Sequence, residues 1–203
     1  MKRVVRKDIG NKLKELSKEY IDEQSSLLVT KLLDLPQFKS CNALSVYLSM
    51  GGEINTNEIL HKSFEYNRRV FIPKITGKKS EDMFMLEVSG LDMINSFAKN
   101  NWGIPEPSKD VIEASKDGTY SGEIDLVLLP GVAFDRNCNR LGHGKGYYDS
   151  FIDRLTRSNA EQGRAAPFLL ALALDEQIID SVPIEDHDKT LDAILTPTTM
   201  YTK

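Results

Sequence analysis

Residues 124–155 constrain the fold of this chain more than any other segment. The apolar run at residues 124–129 precedes Pro130 and Gly131, which predicts a buried strand ending in a turn. Further on, Tyr147, Phe151 and Leu155 recur at helical spacing. Between strand and helix lies a glycine-rich loop, Arg140-Leu141-Gly142-His143-Gly144-Lys145-Gly146-Tyr147-Tyr148-Asp149. A strand, a glycine-rich loop and a helix in this order are typical of α/β proteins that bind phosphate through backbone N–H groups.

The composition of this loop favours a nucleotide site over a simple tight turn. Glycine lacks the Cβ that would hold the backbone away from phosphate oxygens. Lys145 adds a mobile cation, and Asp149 is placed in the first turns of the helix, where a carboxylate could hold a metal ion. The loop does not follow the P-loop pattern, because Gly146 and not Ser or Thr comes after Lys145. It also differs from G-x-G-x-x-G, since its glycines alternate strictly.

The rest of the chain alternates predicted helices and strands, with no internal repeat or linker. We therefore expect an α/β fold, with a mostly parallel sheet between helical layers, as one domain over residues 1–203. Asn55 and Glu58 suggest a capping box at the start of a helix. The predicted helices are a stripe at residues 5–16, then 22–35, 55–67 and 147–157; the predicted strands are 43–48, 69–72, 83–88 at an edge, 124–129, 168–174 and 193–196. Segments 101–108, 109–122 and 158–166 are expected to be irregular or solvated.

Composition narrows the functional classes. With 203 residues, 40% hydrophobic and 28% charged, the chain is typical of a soluble globular protein. No apolar run approaches the ~18 residues of a membrane span, so no membrane association is expected. The net charge of −4 gives no general attraction for nucleic acid. The two cysteines form no CxxC pair, and the three histidines are not at metal-ligand spacing.

The N-terminal segment is basic but also carries early acids. Four of its first seven residues are cationic, which resembles a mitochondrial transit peptide, whereas Asp8 and Glu15 are unusual in one. We expect a cytoplasmic protein, with a mitochondrial location as the alternative. Without other evidence, four cations in seven residues are interpreted as a solvated N-terminal tail.

Three other features each have a functional and an ordinary interpretation. Glu53 follows a predicted strand, where α/β proteins bind ligands, but it could equally be a loop acid. Trp102, between polar residues and Gly103, could be a core residue or a stacking platform for a flat ring. Near the C-terminus, Asp186, Asp188 and Asp192 would usually be surface charges.

Taken together, these segments resemble the 5-formyltetrahydrofolate cyclo-ligase family over essentially the whole chain. The glycine-rich segment is the most specific of them. The others match by order and spacing: the Lys/Arg-rich start, Ser49-Met50 leading to Glu53-Ile54-Asn55-Thr56, Phe71-Ile72-Pro73-Lys74, Trp102-Gly103-Ile104-Pro105-Glu106-Pro107 and Leu129-Pro130-Gly131-Val132-Ala133-Phe134-Asp135.

The resemblance implies a three-layer α/β/α sandwich and an ATP-dependent conversion of 5-formyltetrahydrofolate to 5,10-methenyltetrahydrofolate, with release of ADP and phosphate. It implies Mg²⁺ as cofactor. The γ-phosphoryl group would pass to the formyl oxygen, and N10 would then close the ring as phosphate leaves. The expected partners are ATP and the folate, which could be polyglutamated, and the protein is expected to be a monomer. The alternatives are a non-catalytic nucleotide- or folate-binding module and a sugar-phosphate isomerase of similar fold.

The resemblance also implies site residues by position. The ATP-binding positions are Lys2, Arg3, Val4, Val5, Arg6, Arg140, Leu141, Gly142, His143, Gly144, Lys145, Gly146, Tyr147 and Tyr148. The folate-binding positions are Arg6, Leu48, Glu53, Trp102, His143, Gly144, Lys145, Gly146 and Tyr147. Arg140, Lys145 and Tyr147 are the expected catalytic residues, and Asp149 and Asp188 the expected Mg²⁺ ligands. His143 stands where many relatives have Arg or Tyr, so its charge is expected to vary with pH near neutrality.

Overall fold

The structure is a computed structural model that describes residues 1–100, 103–185 and 188–203. Its helices are α1 (Lys2–Lys14), α2 (Lys18–Asp34), α3 (Pro36–Ser40), α4 (Asn57–Glu65), α5 (Leu91–Ser96), α6 (Lys109–Glu113) and α7 (Tyr147–Glu161). Its strands are β1 (Ala43–Ser45), β2 (Arg69–Ile75), β3 (Met83–Val88), β4 (Ala98–Lys99), β5 (Pro105–Glu106), β6 (Leu126–Leu129), β7 (Ala133–Asp135), β8 (Arg140–Leu141), β9 (Phe168–Leu172), β10 (Ile178–Ile179), β11 (Ala193–Leu195) and β12 (Met200–Thr202).

A seven-stranded sheet in the order β12-β11-β9-β6-β1-β2-β3 forms the middle layer. The five inner strands are parallel, and the edge strands β3 and β12 pair antiparallel with their neighbours. From β1 the chain continues to β2 on one side, whereas β6 lies on the other side of β1 and leads outward to β9 and β11. The order of the strands therefore reverses between β1 and β6, where open α/β sheets bind their ligands.

Both faces of this sheet are buried, which makes the fold a three-layer sandwich. Along β6, Leu126 and Leu128 pack in a core that contains residues of α2 and α4, whereas Val127 and Leu129 pack in a second core that contains residues of α7. A strand covered on both sides needs apolar residues at every position, so it has an apolar run in place of alternation. The predicted α/β fold with a mostly parallel sheet is confirmed.

A smaller three-stranded sheet, β10-β7-β8, supports the glycine-rich loop. The buried carboxylate of Asp135, at the end of β7, accepts hydrogen bonds from the backbone N–H groups of Asn137, Asn139 and Val182 and from the Asn139 amide. These bonds hold the turn between β7 and β8. Because β8 ends at Leu141, they also fix the position from which the loop begins.

Local structure differs from the sequence predictions in several places among the described residues. The predicted capping box is wrong: the Asn55 carboxamide accepts a 3.0 Å bond from the N–H of Asn57, where α4 begins. Pro105–Glu106 was predicted to be irregular, but it pairs with β4. The segment 109–122 was predicted to be solvated; it contains α6 and a 3₁₀ turn at 118–120 with two buried residues. Helix α7 continues to Glu161 because Asn159, predicted to lie in a loop, is buried and donates hydrogen bonds to two backbone carbonyls.

Candidate active site

A cavity of about 780 Å³ lies at the carboxyl ends of β1, β2 and β6. Tyr47 and Leu48 follow β1, and Pro130 and Gly131 follow β6, so the cavity is at the point where the strand order reverses. The glycine-rich loop and the start of α7 form one wall. Residues of α1, of β2 and of segment 104–107 line other parts. Segments that are far apart in the sequence thus meet at one site.

The glycine-rich loop presents backbone N–H groups to this cavity. Gly144 has φ +90° and Gly146 has φ +69°, both in the left-handed region that other residues rarely adopt. Gly146 is also the N-cap of α7 and has no side chain to bond the first turn. Within the described residues, the N–H groups of 142–149 donate no hydrogen bond. Free N–H groups at the N-terminus of a fifteen-residue helix form an anion-binding site.

Arg140 lies beneath this loop, and its side chain is only 4% exposed. Its Nη2 donates to both carboxylate oxygens of Asp149, at 3.2 and 3.1 Å, and its guanidinium lies 5.5 Å from the centre of the Tyr148 ring. A Cβ on Gly142 would lie 2.8 Å from Nη1 of Arg140. A side chain at position 142 would therefore displace the guanidinium from its present position.

Helix α1 closes the cavity from the other side through two cations. Arg6 donates from Nε to the carbonyl oxygen of Gly142 at 2.7 Å. Lys2 Nζ lies 2.6 Å from the Asp188 carboxylate and 3.4 Å from that of Glu185. The N-terminal cations are therefore not a solvated tail, since at least two of them hold the helix against the glycine-rich loop and against Glu185 and Asp188.

The remaining residues of the predicted ATP segment do not line the cavity. Arg3 and Val4 are exposed, and Val5 packs against the small apolar cluster around Ile9. This is the spacing of a helix, on which residues 2 and 6 share a face and residues 3 and 4 point elsewhere. Their predicted contact with ATP has no support in this geometry. Leu48 and His143 do line the cavity, whereas Trp102 lies outside the described residues.

Glu53 is a half-buried acid in the wall that follows β1. Its Oε2 accepts a 2.9 Å hydrogen bond from the N–H of Met50. Burial raises the pKa of the Glu53 carboxyl to about 7, against the opposing effect of the Met50 bond. A carboxyl group that is close to half-protonated at neutral pH can pair with either donors or acceptors of a heterocyclic ring.

The imidazole of His143 has a lowered pKa. Burial, and then the nearby charges of Arg6 and Arg140, lower the pKa of its imidazole below the usual 6.5. The sequence predicts that the charge of His143 changes near neutral pH. The lowered pKa moves that change to lower pH, because a protonated imidazole would be a third positive charge beside the guanidinium groups of Arg6 and Arg140. Lys145 is exposed and has no ion-pair partner among the residues that the structure describes. It is the loop's available cation.

Tyr147 makes a contact that local sequence patterns do not predict. Its hydroxyl donates a 2.9 Å hydrogen bond to the carbonyl oxygen of Gly77, between β2 and β3.

The ion pair between Lys74 and Glu106 joins β2 to β5 at the cavity wall. Both residues lie in segments that are recognisable in the sequence from their prolines and glycines. Local sequence patterns do not indicate, however, that the side chains of these two segments form an ion pair.

The two predicted Mg²⁺ ligands line the same cavity. Asp149 accepts the N–H of Lys189 at 3.3 Å, which places the residue after Asp188 beside it. Protein sites for Mg²⁺ typically use one or two carboxylates together with substrate phosphates, so two oxygen donors next to a phosphate site fit the ion. No cluster of three or more potential ligands occurs within residues 1–100, 103–185 and 188–203.

The sequence profile of the 5-formyltetrahydrofolate cyclo-ligase family matches residues 1–197. The chain belongs to this family. It is 32% identical over 194 residues to a mouse 5-formyltetrahydrofolate cyclo-ligase, with 96% of this chain and 92% of the relative covered. It is 37% identical over 183 residues to a probable 5-formyltetrahydrofolate cyclo-ligase of Caenorhabditis elegans, with 90% and 86% covered.

A solved structure agrees with the fold of this cyclo-ligase family member. The 5,10-methenyltetrahydrofolate synthetase of Aquifex aeolicus superposes with a TM-score of 0.75 at 24% identity, covering 99% of this chain and 92% of the other. At that identity the likeness supports the fold alone. The described helices include none that is long and apolar enough to cross a bilayer.

Proposed function

We propose that this protein uses ATP to convert 5-formyltetrahydrofolate to 5,10-methenyltetrahydrofolate, with release of ADP and phosphate. The observation that carries the proposal is the shared cavity. Three features line one space at the carboxyl end of the sheet: a loop whose N–H groups have no partner among the described residues, Lys145, which has no ion-pair partner among them, and the half-buried acid Glu53. An anion site beside a site for a flat polar ring suits a reaction that brings a nucleotide and a pterin together.

The chemistry explains why both substrates must share a cavity. The N5-formyl group is amide-like, so its carbon is a poor electrophile and its oxygen a poor leaving group. Attack by the formyl oxygen on the γ-phosphorus breaks the bond to ADP and converts that oxygen into a phosphate ester. N10 then bonds to the formyl carbon and loses its proton. Departure of phosphate leaves the N5–CH–N10 amidinium of the product.

The protein's task in this reaction is positioning and charge neutralisation. Alignment of two bound reactants can supply ~7–11 kcal/mol of the barrier, more than the ~0.3–1 kcal/mol of a helix terminus acting on a charge. The N–H groups of residues 142–149 and Lys145 would hold the phosphates, and Glu53 and Leu48 the folate. Arg140, held by Asp149, would keep positive charge beneath the loop. Mg²⁺, bound by the carboxylates of Asp149 and Asp188 together with the nucleotide, would neutralise further phosphate charge.

The proposal also covers the substrates, the oligomeric state and the cellular compartment of the enzyme. Its partners would be ATP and the folate, with or without additional glutamates, and it would act as a monomer in the cytoplasm. Light scattering of the purified protein tests the monomer, and fractionation of the source cells tests the compartment against a mitochondrial location.

The decisive experiment is a direct turnover assay. Purified protein with Mg-ATP and 5-formyltetrahydrofolate should produce the near-ultraviolet absorbance of the methenyl product, with one ADP released for each product formed. Lys145→Ala should lose most of this activity while keeping its fold, and Lys12→Ala, an exposed lysine at the far end of α1, should remain active. Binding of both ligands without turnover would indicate a non-catalytic module and contradict the proposal.

A further inference from the structure

The turn between β2 and β3, residues 76–82, lies against the start of α7 and is here called the β2–β3 hairpin. The Tyr147 hydroxyl donates to the Gly77 carbonyl at 2.9 Å. A Cβ on Gly146 would lie 3.5 Å from Cβ of Ser80. Gly77 and Ser80 therefore both lie against the first residues of α7. Lys78 and Lys79, which lie between them, are at the edge of the cavity and do not belong to the residues that line it.

The hairpin is held in shape by its own backbone. The Thr76 N–H donates to the Asp82 carbonyl at 2.8 Å, and the Lys79 N–H donates to the Asp82 carboxylate at 2.9 Å. Gly77 leaves no room for a side chain, since its Cβ would lie 2.2 Å from the Asp82 carboxylate. None of these bonds uses the ammonium group of Lys78 or Lys79. Removing both ammonium groups should therefore leave the hairpin intact.

Cationic and acidic side chains are equal in number on the described wall of the cavity. Five cationic side chains and five carboxylates of described residues line it: Lys2, Arg6, Lys74, Arg140 and Lys145, with Glu53, Glu106, Asp149, Glu185 and Asp188. Three of these cations already pair with carboxylates, as Lys2 with Asp188, Lys74 with Glu106 and Arg140 with Asp149. A triphosphate brings several negative charges into a space whose walls are balanced in formal charge.

Lys78 and Lys79 are exposed, and neither has an ion-pair partner in the parts of the chain that the structure describes. We infer that the β2–β3 hairpin is a further part of the nucleotide-binding site, in which Lys78 and Lys79 contact the triphosphate opposite the glycine-rich loop. The inference rests on the proposed function, because it takes ATP as the ligand at α7. The phosphates would then be contacted on two sides, by the glycine-rich loop and by the β2–β3 hairpin.

Calorimetric titration of full-length protein tests the inference. The double variant Lys78→Ala/Lys79→Ala should bind Mg-ATP about tenfold more weakly than wild type, as expected for the loss of two exposed ion pairs. Its affinity for adenosine, which has no phosphate, should not change. The matched control is Lys12→Ala/Lys14→Ala, which removes two exposed lysines from the C-terminal turn of α1 and should bind Mg-ATP as wild type does.

Steady-state kinetics show whether Lys78 and Lys79 bind the triphosphate of ATP or the carboxylates of the folate. The double variant should raise KM for ATP and leave KM for 5-formyltetrahydrofolate unchanged for monoglutamyl and triglutamyl forms. A rise confined to the folate KM would overturn the inference and assign the lysines to the folate carboxylates. If wild type is active and the double variant binds Mg-ATP as the control does, the inference alone fails. If wild type binds no ATP, the proposed function fails with it.

Discussion

Nε of Arg6 donates a 2.7 Å hydrogen bond to the carbonyl oxygen of Gly142, and this bond joins the first helix to the glycine-rich loop. The guanidinium also lies over the next glycine of the loop, since a Cβ on Gly144 would be 3.1 Å from its Cζ. One arginine thus shapes the anion site and adds charge to it.

Arg6→Ala should therefore weaken Mg-ATP binding about tenfold and lower the free energy of unfolding by roughly 0.5–1.5 kcal/mol, the usual value of one hydrogen bond. Calorimetry and urea denaturation measure the two effects. Arg3→Ala is the matched control, because Arg3 is exposed and does not line the cavity. Equal losses in both variants would show that the contact with Gly142 is unimportant.

Gly142→Ala should reduce turnover at least tenfold, because the added Cβ would lie 2.8 Å from Nη1 of Arg140 and displace the guanidinium from Asp149. Forced displacement of a buried group costs about 1–3 kcal/mol, which thermal denaturation would detect. Gly10→Ala serves as the control: its Cβ meets nothing within 4 Å, and alanine in a helix is more stable than glycine by about 1 kcal/mol. Full activity of Gly142→Ala would show that the arginine can move freely.

Asp149→Asn should lower the free energy of unfolding by about 1–3 kcal/mol, because the charge of the buried Arg140 loses its partner. It should also weaken the dependence of nucleotide binding on Mg²⁺, as measured by titrating ATP with and without the ion. Asp153→Asn, one turn later on α7, removes an exposed partner of Lys189 and should change stability by no more than about 0.5 kcal/mol. Similar losses in the two variants would contradict the structural role of Asp149.

Glu53 should make stability depend on pH. Its folded-state pKa of about 7 lies above the unfolded value of 4.5, so its stabilising contribution is full below pH 4.5 and is lost as the pH rises through 7. Glu53→Gln, which cannot ionise, removes this dependence. The free energy of unfolding of wild type relative to Glu53→Gln should fall by up to about 3 kcal/mol between pH 4.5 and pH 8, measured by urea denaturation. An unchanged difference across that range would place the carboxyl in a well-solvated environment.

Patterns over short stretches of sequence indicated much of this fold. The strand predicted at residues 124–129 is present as β6 (Leu126–Leu129), buried on both faces, and the stripe from Tyr147 to Leu155 lies on α7. Errors arose where polar side chains that are partly or fully buried set the local structure. Asn159 extends α7 through hydrogen bonds to carbonyls of other segments, and Asp192, expected at the surface, accepts the N–H of Leu169. The hydrogen-bond partners of Asn159 and Asp192 cannot be predicted from the residues that flank them in the sequence.

The sequence by itself determined the strand, loop and helix around the glycines, because Gly, Pro and apolar spacing act over a few residues. Only the tertiary structure decided which distant side chains complete the site: Arg6 on Gly142, Lys2 on Asp188 and Tyr147 on Gly77. These contacts depend on how α1 and the β2–β3 hairpin pack beside the sheet. Packing joins residues far apart in the chain, and no local periodicity records which of them will meet.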